Sequence, residues 1–178
     1  NNNTIVRQNE QSLSLFVEDL EPQDSRGVFR NINIDLRQYE RIKMFLHAEK
    51  IAASDPYIDF QSAVAFLRIG TDFTENFYQL EVPLSFTDFS ATTPEEIWPA
   101  VNELDVALAD MQKVKSQGIA DQSLGQIVFY EIVDGQAVVV DEFAPREPGR
   151  VRIGIRGNPS LGSIRSSMIG IKNIENVP

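Results

Sequence analysis

The single histidine, His47, stands two residues after Phe45 and two before Glu49 in the string KMFLHAE (43–49). A histidine with a carboxylate in reach can act as a general base, Glu49 orienting the ring. The same two-residue spacing also describes the outward row of a β-strand, on which Lys43, Phe45, His47 and Glu49 all face water. The strand reading, an exposed or half-exposed residue, is favoured, because that is the usual role of a polar position on a surface strand. The chain has no cysteine, which removes disulfides, thiolate metal sites and thiol chemistry and leaves the redox compartment undecided. With one histidine and no cysteine, a transition-metal site is not expected. No G-x-S-x-G elbow occurs, and Gly154, Gly157 and Gly162 lack phosphate-loop spacing, so they are read as turn glycines. The 26 acidic residues offer many carboxylate pairs but single out none, so a glycosidase has no constellation behind it.

Two further chemistries are weighed against plainer readings. Asp55, Asp59 and Asp72 lie in or beside loops, where a structural calcium ion would find oxygen ligands. No D-x-D-x-D-G series supports such a site, so solvated loop acids are favoured and no cofactor is expected. Tyr57, Phe60, Phe73, Phe77 and Trp98 are loop or strand-end aromatics on which a sugar could stack. Most of the eleven phenylalanines must instead fill a core, and Trp98 between Pro94 and Pro99 is read first as a plug on the sheet.

The elements that position these residues follow from period. In RNINIDLRQYERIKMFLHAE (30–49), Ile32, Ile34 and Leu36 share one face of a first strand. Ile42, Met44, Leu46 and Ala48 share one face of a second, opposed by Arg41, Lys43, Phe45, His47 and Glu49. An earlier strand is expected where Leu13, Leu15 and Val17 alternate with Ser12, Ser14 and Glu18. A loop is expected over 50–62, then strands at 63–70 and 77–86, the second an edge or a bulge at Pro83, which has no amide donor. Thr93-Pro94-Glu95-Glu96 is a capping box opening a short helix that ends at Pro99. ELDVAL (103–108) alternates again, and a second helix runs from Ala109 to Gln117, stopped by Gly118. Asp134-Gly135 predicts a type I′ hairpin setting Ile132 opposite Ala137 and Tyr130 opposite Val139. Strands at 151–155 and around 164–172 complete the series. About ten short strands with two short helices, and no β-α-β alternation, predict an all-β fold, an antiparallel jelly-roll-like sandwich.

At 178 residues the chain is expected to be one domain, burying roughly two-thirds of its unfolded surface. With 16 Lys and Arg against 26 Asp and Glu, the net charge of −10 repels nucleic acid, and no basic run offsets it. There is no run of about 18 apolar residues. The start at Asn1 and the polar ends are read as those of a piece excised from a longer protein.

The string NEQSLSLFVEDLEPQDSRGVFRNINIDLRQYERIKMFLHAE (9–49) resembles the SprA/Sov family. The likeness continues in FLRIGTDFTENFYQLEVPL (66–84), EEIWPAVNELDVAL (95–108) and RGNPSLGSIRSSMIGIKN (156–173), in the same order along the chain. These are giant outer-membrane proteins of the Bacteroidetes that act in gliding motility and type IX secretion. The resemblance implies a non-catalytic structural or interaction domain of such a translocon, soluble itself, in the cell envelope on an undetermined side of the outer membrane. Its partners would be other domains of the parent and secretion-system proteins, met through Lys43, Phe45, His47, Glu49, Tyr57 and Trp98. A segment of this size cannot hold the pore. The alternative is a carbohydrate-binding module of a secreted or cell-surface protein, using Tyr57 and Trp98.

Overall fold

The computed structural model describes residues 12–50 and 62–175. Along the chain run β1 (Ser25–Ile34), β2 (Arg41–Met44), β3 (Ala63–Gly70), β4 (Phe77–Pro83), α1 (Pro94–Ile97), a 3-10 turn (Ala100–Asn102) and β5 (Leu104–Ala107). They are followed by α2 (Leu108–Ala120), β6 (Val128–Val133), β7 (Gln136–Val140), β8 (Arg152–Arg156) and β9 (Ile164–Asn173). Seven strands form one antiparallel sheet in the order β1-β9-β3-β4-β8-β6-β7, and β2 pairs with β5 in a separate antiparallel ribbon. The predominantly antiparallel β architecture with two helices is as the spacing predicts.

The ribbon and α2 cover one face of the large sheet. Leu67 and Ile69 of β3, Tyr78, Leu80 and Val82 of β4, Tyr130 of β6, and Ile153 and Ile155 of β8 all point into this layer. Leu104 and Val106 of β5 meet them from the ribbon, and Leu108, Met111 and Val114 from α2. The helix residues recur at three-residue spacing, which puts one stripe of α2 on the sheet. Ile42 and Met44 of β2 pack against the same core, as their alternation requires.

The hairpin β6–β7 has the predicted register, Ile132 opposite Ala137 and Tyr130 opposite Val139. Asp134 and Gly135 take φ of 49° and 77°, the paired positive values of a type I′ turn. Pro83 ends β4. Its partner on β3 is Val64, while the β4–β8 pairing has already stopped at Glu81–Arg152. Leu84 donates to Ala63 of β3, so alternation turns the donor-free side of Pro83 towards the unpaired β8 side. The ladder therefore loses no hydrogen bond there.

Several expectations need correction. Helix α2 runs through the expected stop at Gly118 and on to Ala120, with Gly118 buried inside it against Leu124. Residues 12–20 form no strand: Leu13 and Phe16 are 61% and 84% exposed, and Leu20 is the first buried side chain. Alternation alone does not hold a strand without a neighbouring edge to pair with. The strand expected over 41–49 stops at Met44, because its partner β5 runs out at Leu104. Glu49 keeps a lone bridge to Thr87. In β1, a register shift between Asn31 and Ile34 inserts an extra residue, so Ile34 is 42% exposed while Ile32 and Leu36 pack against the core. The loop expected over 50–62 falls mostly outside the described residues.

Candidate partner-binding surface

The outer face of the ribbon is ionic. Arg41 donates to Asp105 at 2.6 Å, and Lys43 reaches Asp105 at 3.1 Å and Glu103 at 3.4 Å. The antiparallel register makes these contacts, placing Lys43 directly opposite Asp105. The hydrogen bond from Arg41, with help from Lys43, lowers the Asp105 pKa. All four groups are substantially solvated, so the pairs set orientation more than stability.

Beyond Met44 the chain leaves the ribbon and turns over α1. The helix opens as its sequence predicts, Thr93 Oγ1 accepting from the Glu96 amide and Glu96 Oε2 accepting from the Thr93 amide. It is four residues long, so its last carbonyls have no helical partner. The Ile97 carbonyl accepts instead from the Thr87 hydroxyl at 3.1 Å and lies 2.7 Å from His47 Nδ1, which therefore carries a proton. His47 Nε2 is then left 3.4 Å from Glu49 Oε2. The Trp98 ring stands over the imidazole, centroids 5.2 Å apart. His47 thus clasps the 45–49 segment to the end of α1, and its Nδ1 is occupied by a backbone carbonyl.

The result is an aromatic surface. Phe45 is 73% exposed and Trp98 52% exposed. Between them lies a depression of about 180 Å³ lined by Phe45, Leu46, Trp98, Pro99, Ala100 and Glu103. Of the residues singled out in the sequence, Phe45 and Trp98 line it, Lys43 pairs with Glu103 of the lining, His47 packs against Trp98, and Glu49 lies beside His47. Tyr57 lies outside the described residues. Trp98 is half-exposed and packs against His47 rather than plugging the sheet. Leu46, Pro99, Ala100 and Glu103 were not anticipated; the only local signal for them is that Pro99 ends the capped helix.

Among the described residues, the other candidate aromatics do not join this surface. Phe77 is 3% exposed, with the Arg68 guanidinium 4.1 Å above its ring. Phe73 packs edge-on to Phe29 at 5.0 Å. Phe60, like the calcium candidates Asp55 and Asp59, falls outside the described residues. Among those residues, no three His, Cys, Asp or Glu side chains converge as metal ligands. Asp72 spends its carboxylate on its own loop, Oδ1 accepting from the amides of Thr74, Glu75 and Asn76 and Oδ2 from the Asn76 side chain. The Asn76 amide first, and the backbone donors after it, hold this carboxyl well below the usual carboxylate range.

That arrangement predicts a pH signature. Asp72→Ala is expected to destabilise the fold by about 1–2 kcal/mol at neutral pH, the loss of a multiply bonded acceptor. Because the folded pKa is depressed, the stabilisation is complete above the ordinary value of about 4 and fades as pH falls through the folded one. Urea midpoints of the two proteins should converge on acidification. A gap that stays constant down to about pH 2 would exclude the carboxylate as its source.

No helix among the described residues is long and apolar enough to cross a membrane, which leaves crossing by strands unaddressed. A family model, SprA_N, described as motility related/secretion protein, matches residues 1–178. No curated protein matches the chain.

Proposed function

The chain belongs to the SprA_N family of motility related/secretion proteins, and from that premise we propose that it is a non-catalytic interaction domain of a type IX secretion translocon. In this reading it lies in the cell envelope of a Bacteroidetes bacterium, as one domain of a giant outer-membrane protein that also serves gliding motility. The family match carries the proposal, and the sequence blocks that resemble SprA/Sov proteins support it along most of the chain. The Phe45–Trp98 surface is where this domain meets other domains of its parent or a secretion-system protein. Two exposed aromatic rings around a depression lined also by Glu103, with Lys43 paired to Glu103 and Glu49 beside His47, have the anatomy of an interface centre with polar surroundings. His47 serves as the clasp that holds Phe45 and Trp98 in place, and Tyr57 is proposed as a further contact. No catalytic step is assigned to His47 and Glu49, and no cofactor is invoked.

The test is a Phe45→Ser/Trp98→Ala pair made in the full-length parent protein in its own cells. Both side chains are exposed, so the isolated domain should keep its stability to within about 0.5 kcal/mol. Two lost anchors of about 2 kcal/mol each should cut secreted cargo and gliding well over tenfold at unchanged protein level. Unchanged secretion from a normally abundant double variant would overturn the assignment of this surface.

A further inference from the structure

Among the described residues, the seven-stranded sheet ends in two edges with no further strand, β1 and β7. Open edges invite another strand, and proteins guard them with charges, prolines and bulges. β1 is guarded: Arg26 and Arg30 lie along it and the register shift after Asn31 breaks its line. β7 is not. Its sequence, Gln136-Ala137-Val138-Val139-Val140, has no charge and no proline, and its register with β6 is unbroken. The two-residue turn closes on the Val133–Gln136 pair, so Gln136, Val138 and Val140 bond to β6. The N–H and C=O groups of Ala137 and Val139 therefore point away from the sheet.

Space and chemistry for an added strand are both present. A groove of about 410 Å³ runs between α2 and the start of β7, its walls including Gln112, Lys113, Ser116 and Gln117 on the helix and Gln136 and Ala137 on the strand, with the Lys113 charge held by Asp110 at 2.9 Å. Val138 and Val139 are 44% and 55% exposed on opposite faces, offering apolar contact to alternate side chains of a neighbour. Both ends of β7 are acidic, with exposed Asp134 in the turn and Asp141 beyond Val140. A second copy paired antiparallel about Val138 would set acidic ends on acidic ends, between chains that each carry −10. The complementary occupant is basic at its ends.

We infer that the free edge of β7, with the groove beside α2, is a strand-addition site for an extended segment of a different polypeptide, β-branched at its centre and Lys- or Arg-bearing at both ends. The site is separate from the Phe45–Trp98 surface and goes beyond the function proposed for it.

The probe is a blocked heptapeptide, KTVTVTK, titrated into the isotope-labelled chain at low salt, with ETVTVTE as its charge-reversed control. Amide shifts are expected at Ala137, Val139 and the groove side of α2, with the acidic peptide binding at least about tenfold more weakly. Val139→Pro should abolish binding and leave the hairpin intact, since edge strands accept proline where the N–H faces outward. Val139→Lys, which keeps every backbone donor, should weaken KTVTVTK at least about fivefold by like-charge repulsion. Absence of binding, equal binding of the two peptides, binding that survives both variants, or dimerisation of the chain through β7 would each overturn the inference. The Phe45→Ser/Trp98→Ala pair should leave the titration unchanged, so failure here and failure of the proposed function are distinguishable.

Discussion

Arg146→Met is expected to lower the unfolding free energy by about 3 kcal/mol, the low end of the cost of breaking a buried ion pair. Arg146 and Glu81 are 1% and 0% exposed at the side chain and meet at 2.6 Å. They lie on the face of the large sheet opposite the main core. Arg146 also donates to the Glu142 carbonyl, and Arg152 donates to the carbonyls of Asp141, Ala144 and Pro145. The segment from 141 to 146 is thereby fastened over that face by buried guanidinium groups. Burial pulls the Arg146 pKa down from its ordinary value, with the Glu81 carboxylate pulling the other way. Removing the arginine leaves Glu81 with Gln79 at 2.7 Å and Lys172 at 3.7 Å, partners that hold the cost near the low end. The companion variant Glu81→Leu/Arg146→Met removes both charges, and Lys172 keeps Glu142 as its partner. It should recover part of the loss, because the apolar pair carries no buried charge while the buried Gln79 amide loses its acceptor. Urea denaturation of the three proteins decides it, and a double variant no more stable than the single would refute the pairing argument.

Leu104→Ala should cost about 3 kcal/mol, within the range for truncating a buried leucine. Leu104 is 0% exposed and sits opposite Met44 in the ribbon, its side chain in the core against the large sheet. Its particular consequence is positional. The β2–β5 ribbon carries Lys43, Glu103 and Asp105 and leads directly into Phe45 and Leu46, so loosening its anchor should disturb the candidate surface before the large sheet. Hydrogen exchange in Arg41–Met44 and Leu104–Ala107 should accelerate more than in β3 and β4. Leu104→Met, which conserves volume, should cost less than about 1.5 kcal/mol and leave that exchange near normal. Uniform acceleration across all strands would show that the ribbon does not open as a local unit.

Much of the fold was legible because its signals are local. Asp134-Gly135 announces its hairpin through two residues that tolerate positive φ, and the register follows from the turn. Thr93 and Glu96 announce α1 through reciprocal bonds across three residues. Alternation found β3 at its observed bounds and the core face of β4. The same alternation misjudged residues 12–18 and 45–49, where the pattern is present but no pairing partner extends alongside among the described residues. For the candidate surface, Lys43, Phe45, His47, Glu49 and Trp98 could be named in advance. Their gathering could not, since it depends on an Ile97 carbonyl left over by a helix fifty residues further on.

By itself the sequence determined the antiparallel β class, the Asp134-Gly135 turn and the α1 cap, the core stripe of β3 and β4 and a family kinship running through the chain. Only the tertiary structure decided which polar residues would be buried and which edges would stay open. Gln79 and Glu81 alternate with apolar neighbours as a solvated row does, yet both are buried. The physical reason is separation: the arginine that neutralises Glu81 comes from 65 residues away. Residue period records how a strand divides its two faces. What comes to lie against the second face, or along the free edge of β7, is settled by distant segments whose approach leaves no mark in local spacing.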